Sequence, residues 1–238
     1  MATTIRPRRR IEPRRALRAM RSLLRDPDDT PKVFEIIDAL SGNTGERLFR
    51  RFARSPVGDR VLRERRDLLT TLGDTAYLQS LPPGSLGRVY AEFVAREQLS
   101  PQGLFDASMA GGRRRRDLGP DRQLFGDRLR DMHDLWHVVT GYGRDLLGEG
   151  ALLAFSFAQT SNPGVGFIVA VAVLKAGDAG ARRVLFAAWR RGRRARWLPG
   201  EDWEALLGQP LDAVRRELRL GPPPTYQPVR SAGAPAMA

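Results

Sequence analysis

Apolar residues along the 238-residue chain recur at spacings of three and four, and no stretch alternates convincingly. That spacing lines one face of a helix, so the pattern predicts an all-α protein. RRALRAMRSLLR (residues 14–25) sets Leu17, Met20, Leu23 and Leu24 among arginines and predicts a basic amphipathic helix. Such a helix either lies on an anionic membrane or packs on the domain with its charges in water. Asp28, Asp29 and Thr30 before Pro31 open a helix over KVFEIIDAL. SGNTGE breaks the pattern, ERLFRRFARS resumes it, and residues 59–73 predict a further helix. LPPGSLG (81–87) is a turn leading into the helical RVYAEFVAREQ. A helix from near Arg122 to near Thr140 is followed by the turn TGYG and a helix over 145–160. Asn162-Pro163 ends that helix. Residues 164–176, the basic RRVLFAAWRRGRRAR and the segment DWEALLGQPLDAVRREL supply the remaining helices. GPPPTYQPVRSAGAPAMA reads as a tail with nothing to bury, and GGRRRRDLGP, with Arg113–Arg116, as a solvated loop.

The expected organisation is a basic N-terminal segment with its amphipathic helix (1–30), one all-helical bundle domain (31–227) and a disordered tail (228–238). Hydrophobic residues make up 42% of the chain, enough for a core. With no cysteine, the chain has no disulfides, cysteine zinc sites, iron–sulfur clusters or cysteine nucleophile. The longest strongly apolar run, Val165–Leu174, is about half the ~20 residues a spanning helix needs. MATTIRPRRRIEPRR lacks the apolar stretch of a secretory signal, and its arginines suit a basic tail or a mitochondrial presequence. The net charge of +13 invites a nucleic-acid reading. Only Lys32 and Lys175 are lysine, however, a ratio that matches GC-rich coding bias. Basic surfaces equally suit anionic membranes. No nucleic-acid partner is expected.

The chemistry gathers in MHDLWHVVTGYGRDLLGE (132–149). It holds His133 and His137, the only two histidines, one helical turn apart, where both can face one ion. Asp134 lies on the same side, and Glu149 follows beyond the Gly141–Gly143 turn, where a returning helix can bring it back. Gly148 and Gly150 flank it at a helix-propensity cost of about 1 kcal/mol each, which implies a close approach there. Two imidazoles and two carboxylates suit a divalent zinc, iron, manganese or cobalt ion. The expected metal-binding and catalytic residues are therefore His133, Asp134, His137 and Glu149. Asp131 and Arg130 adjoin them.

His-Asp-x-x-His, eleven residues and Glu resembles the metal motif of the ubiquinone (coenzyme Q) biosynthesis protein four family. LPPGSLGRVYAEFV is similar to that family's LP-x-G-S/T-L/F-G-x-x-Y block, RLRDMHDLWHVVTGYGRDLLGE to its central helix pair, and WEALLGQPLDAVRRELRLGPPP to its C-terminal signature. The likeness spans roughly residues 35–227, with departures at GGRRRRDLGPDRQ and SPQGL. It implies an all-helical, metal-binding protein at a membrane surface, acting on a prenylated benzoate or quinone lipid beside the other ubiquinone-biosynthesis enzymes. The implied activity is oxidative decarboxylation at C1 of a polyprenyl hydroxybenzoate. The other reading is a non-catalytic prenyl-lipid scaffold with a structural metal. ALLAFSFAQ (151–159) and VGFIVAVAVL (165–174) either line a lipid groove or are core, and the arginines of 190–196 can meet lipid headgroups. The implied location is the cytoplasmic face of a bacterial inner membrane, or the matrix side in a mitochondrion. A homodimer fits either.

Overall fold

A computed structural model describes residues 10–99, 101–110 and 118–229 of the chain. The Arg113–Arg116 loop and most of both predicted tails lie outside them. Among the described residues the fold is all-α and holds no strand. The helices are α1 (Pro13–Leu23), α2 (Thr30–Leu40), α3 (Thr44–Ala53), α4 (Pro56–Glu64), α5 (Leu68–Gly73), α6 (Thr75–Ser80), α7 (Leu86–Arg96), α8 (Pro101–Ala110), α9 (Pro120–Asp131), α10 (His133–Thr140), α11 (Leu146–Thr160), α12 (Pro163–Lys175), α13 (Ala179–Arg194), α14 (Trp203–Leu206) and α15 (Leu211–Glu217).

Local chemistry starts these helices. The side chains of Ser55, Asp67, Asp74, Ser85, Asp145, Asn162, Asp178 and Asp202 each accept a backbone N–H in the first turn of the helix that follows. Two elements expected to be continuous are divided. Arg65, at φ 52°, ends α4, and Asp67 caps α5, so residues 59–73 form two helices. The helix expected over 122–140 is likewise two, with Met132 (ψ −3°) between α9 and α10.

The helix α10 is the centre of the molecule: from Asp134 to Thr140 every residue is buried. Around it gather Tyr90 and Phe93 of α7, Leu152 and Phe155 of α11, Leu185 and Ala188 of α13, and Trp203. Its last carbonyls, which no helical N–H can reach, accept from arginines. Arg215 donates to Val138 O (3.0 Å) and Val139 O (3.1 Å), and Arg191 to Thr140 O (2.6 Å). Helices α11 and α13 meet closely because Gly192 lies against Phe155 and Ala158. Leu86 N donates to Gln209 O and Gly87 N to Leu207 O, both at 2.8 Å, joining LPPGSLG to LGQPL.

Helix α1 packs on the domain. It buries Ala16, Ala19 and Met20 against Ile36, Ala39 and Ile168. The expected stripe is therefore displaced: Leu17 and Leu24 are about half exposed, and alanines allow the close contact. The predicted lipid-lining stretches divide similarly, with α11 burying Ala151, Leu152, Ala154 and Phe155 while Leu174 of α12 is 79% exposed. No helix among the described residues is long and apolar enough to cross a membrane.

Candidate metal centre

Three ligand-type atoms converge between α10 and α11. One from each of His133, His137 and Glu149 lies within 4.8 Å of the others. Glu149 Oε2 is 3.4 Å from His137 Nε2 and 3.9 Å from His133 Nε2, and the two rings meet edge-on at 4.9 Å. Asp134 stands one step behind them: His133 Nδ1 donates to its carboxylate at 3.0 Å. His137 Nδ1 donates to the Tyr142 carbonyl at 2.9 Å. With each Nδ1 occupied by an oxygen acceptor, each ring presents Nε2 as its free lone pair, the arrangement a histidine–metal bond requires.

The environment of His137 sharpens this. Its side chain has no exposure, and Phe93 stacks on it at 5.9 Å. Its Nε2 is buried and makes no hydrogen bond among the described residues, although Glu149 Oε2 lies 3.4 Å away. Leaving such a polar atom unpaired costs about 1–3 kcal/mol. A divalent cation would satisfy it, with His133 Nε2 and Glu149 Oε2 beside it. The site is partly open, since the side chains of His133 and Glu149 are each 32% exposed. The three donors are nitrogen and oxygen, and such a set fits zinc, iron, manganese or cobalt alike.

Charge is balanced locally. Burial would lower the His137 pKa, but the Glu149 carboxylate, the Tyr142 carbonyl and Asp134 together outweigh it and the net shift is upward. Burial would raise Glu149, and His137, His133 and Arg144 together hold it below the usual carboxylate range. Arg144 Nε lies 3.6 Å from Glu149 Oε1. Asp134 is also lowered: burial opposes, and the His133 hydrogen bond together with the charges of His133, His137 and Arg144 outweighs it. Asp131 differs, since burial outweighs Arg130 and pushes it up to about 6. The two Arg130 contacts to Asp131, 2.7 and 2.6 Å, both fall on Oδ1, and Oδ2 has no hydrogen bond among the described residues.

The turn between the helices is braced from the C-terminal segment. Gly141 takes φ 76° and closes α10, its N–H donating to His137 O at 2.8 Å; a Cβ there would strike Pro223. Gly143 N donates to Tyr226 Oη (2.8 Å), and Tyr226 Oη donates to Asp145 Oδ2 (2.9 Å). Val229 N donates to Asp145 Oδ1, and Leu146 N to Val229 O. Residues 221–229 thus form a strap over the turn that carries Tyr142 and Arg144, where composition alone reads as a tail. Proline-rich composition hides this, because the strap works through one tyrosine hydroxyl and backbone groups. The close approach expected at the glycines is this same contact. A Cβ on Gly148 would come within 2.5 Å of Tyr226 Oη and 2.7 Å of Asp145 Oδ2.

The family model described as Coenzyme Q (ubiquinone) biosynthesis protein Coq4 matches residues 15–224. The chain belongs to the Coq4 family. The match starts earlier than the three sequence blocks suggest and takes in α1. Among Coq4 relatives, the mitochondrial ubiquinone biosynthesis protein coq-4 of Neurospora crassa is 34% identical over 179 residues, covering 74% of this chain and 49% of that protein. The mitochondrial coq4 of Talaromyces stipitatus is 32% identical over 216 residues, 84% of this chain and 70% of that protein. The chain thus spans about half the length of the Neurospora relative. A crystal structure of a Nostoc punctiforme protein, provisionally assigned to ubiquinone biosynthesis, shares the fold with a TM-score of 0.61 at 21% identity. It covers 90% of this chain and all of that one.

Proposed function

We propose that the chain acts in ubiquinone biosynthesis as a metal-dependent oxidative decarboxylase, removing the C1 carboxylate of a polyprenyl hydroxybenzoate and leaving a hydroxyl. The observation that carries this reading is the unpartnered, buried His137 Nε2 facing Glu149 and His133. A divalent ion there would supply Lewis acidity for the charge that develops as carbon dioxide leaves. His133, His137 and Glu149 would hold the ion, a set of three protein ligands of the kind found in catalytic rather than closed structural sites. Asp134 and the Tyr142 carbonyl keep each imidazole in the required tautomer and orientation. Phe93 screens His137 from water on one side. Replacing carboxylate by hydroxyl is a two-electron oxidation, so an oxidant such as dioxygen must take part, and the ion's identity decides whether it engages that oxidant.

The substrate's prenyl tail requires presentation from a membrane. The corresponding partners would be an anionic membrane surface, met by the chain's basic arginines, and the other ubiquinone-biosynthesis enzymes, with the protein peripheral on the inner bacterial or mitochondrial membrane. On this reading residues 31–227 act as one catalytic unit, against which α1 packs. The scaffold reading makes the metal structural.

Complementation of a strain lacking its Coq4 protein separates these readings. Wild type restores ubiquinone. His137→Ala accumulates the carboxylated precursor in mass spectra of the quinone pool while the partner enzymes stay assembled. Restored ubiquinone with a folded His137→Ala would exclude a catalytic metal and leave the scaffold.

A further inference from the structure

A second site lies away from the metal centre. A groove of about 490 Å³ runs between α13 and residues 219–221. Five of its nine lining residues are arginines, Arg183, Arg190, Arg191, Arg194 and Arg219, and none is acidic. Arg191 is already committed: it donates to the carbonyls of Thr140, Leu220 and Pro222 at 2.6, 2.5 and 3.1 Å. The other four are exposed and have no hydrogen-bond or ion-pair partner among the described residues. Elsewhere Arg66, Arg122, Arg128, Arg196 and Arg215 meet carboxylates, whereas these four share one cleft whose lining holds no acidic residue.

The placement has a helical logic. Arg183, Ala187, Arg190 and Arg194 recur at three and four residues, so α13 turns three guanidinium groups to one face, while Leu185, Ala188 and Gly192 are buried. Arg219 completes the ring from the other wall. It follows α15 in the left-handed conformation, φ 57°, a position where glycine avoids the backbone cost. Arginine there projects a cation towards the groove that glycine could not. At the mouth, Phe186 is 58% exposed and stacks on Trp189 at 5.4 Å, giving the cationic groove an apolar edge.

We infer that this groove binds a phosphate group. Guanidinium forks match tetrahedral phosphate oxygens through paired N–H donors. Four unneutralised cations around one cleft call for a ligand with more than one negative charge or several anionic oxygens. A phospholipid headgroup and a soluble phosphorylated compound share this chemistry, and the apolar edge would lie against the acyl chain of the former.

Titration calorimetry of the full chain with inorganic phosphate and pyrophosphate, at about 0.15 M salt, tests this, alongside sedimentation with phosphatidylcholine vesicles with and without phosphatidic acid. Arg190→Gln/Arg194→Gln removes two groove cations. Arg14→Gln/Arg18→Gln removes the same charge from the exposed face of α1. His137→Ala keeps the groove and disables the proposed metal centre. Wild type, the α1 control and His137→Ala bind alike, and the groove variant binds at least ~10-fold more weakly, with circular dichroism unchanged. If this pattern holds for pyrophosphate, the ligand is a soluble phosphate compound. If it holds only for phosphatidic acid vesicles, the ligand is a headgroup. Equal loss in both double variants would mean non-specific attraction. Loss in His137→Ala would place the anion on the metal. No binding to either probe would leave the groove without this role. Each of these three results overturns the inference, and none depends on ubiquinone production.

Discussion

Gly148 and Gly150 look equivalent in sequence, but their surroundings separate them. A Cβ at 148 meets the Gly143 carbonyl, Tyr226 Oη and Asp145 Oδ2, all backbone or hydrogen-bonded groups that cannot give way cheaply. A Cβ at 150 meets only Leu185 Cδ2, at 3.2 Å, and that side chain can adjust. Gly148→Ala is therefore expected to destabilise by about 1–3 kcal/mol. Gly150→Ala stays within about 1 kcal/mol of wild type, since helix propensity offsets the crowding. Urea denaturation midpoints check both, and equal effects would refute the assignment of the close contact to Gly148. At the same scale, the i,i+4 spacing makes His133 and His137 legible as partners in sequence. Tyr142 is not legible in this way, because it contributes a backbone carbonyl, which every residue possesses.

Between elements, the metal centre depends on an eight-residue helix, a turn and a strap. Isolated helices this short are marginal in water. Tertiary contacts hold α10: Arg191 and Arg215 on its carbonyls, and Tyr226 on the turn behind it. Tyr226→Phe removes the hydroxyl that bridges Gly143 and Asp145 without touching a ligand. Metal affinity is expected to fall, by less than the roughly 10–100-fold typical of losing a ligand's own hydrogen-bond partner. Competition with a chromophoric chelator measures it, and an unchanged affinity would show the turn to be held without the strap. The division of the long predicted helix at Met132 also belongs here. Hydrophobic spacing runs through the junction unbroken, so only packing reveals the bend.

At the scale of the molecule, ion pairs between distant segments tie the helices together. Glu46 of α3 accepts from Arg122 of α9 at 2.7 and 3.0 Å. The hydrogen bond from Arg122 overcomes the effect of burial and, with Arg50, lowers the Glu46 pKa from 4.5 to about 2. The folded state therefore resists protonation that the unfolded chain accepts, and the pair's contribution is complete above about pH 4.5. It is lost as pH falls from there towards 2. Melting temperatures of wild type and Glu46→Gln should differ most above pH 4.5 and converge near pH 2. Parallel curves through that window would show that the pair adds no pH-dependent stability. The charge is partly exposed, which keeps the effect modest.

Periodicity alone predicts the all-α class, and local polar residues account for eight of the fifteen helix starts among the described residues, because helix formation and capping are short-range physics. The pair of histidines and the carboxylate beyond the turn are likewise readable, since one helical turn sets the first spacing. Only the tertiary structure decides that Asp134 holds a ring nitrogen, that α1 buries its alanines, and that residues 221–229 brace the turn. It alone decides which arginines are paired and which line a groove. Each of these outcomes depends on which distant backbone and side-chain groups meet. Chain spacing carries no information about such meetings, because they are fixed by packing around α10.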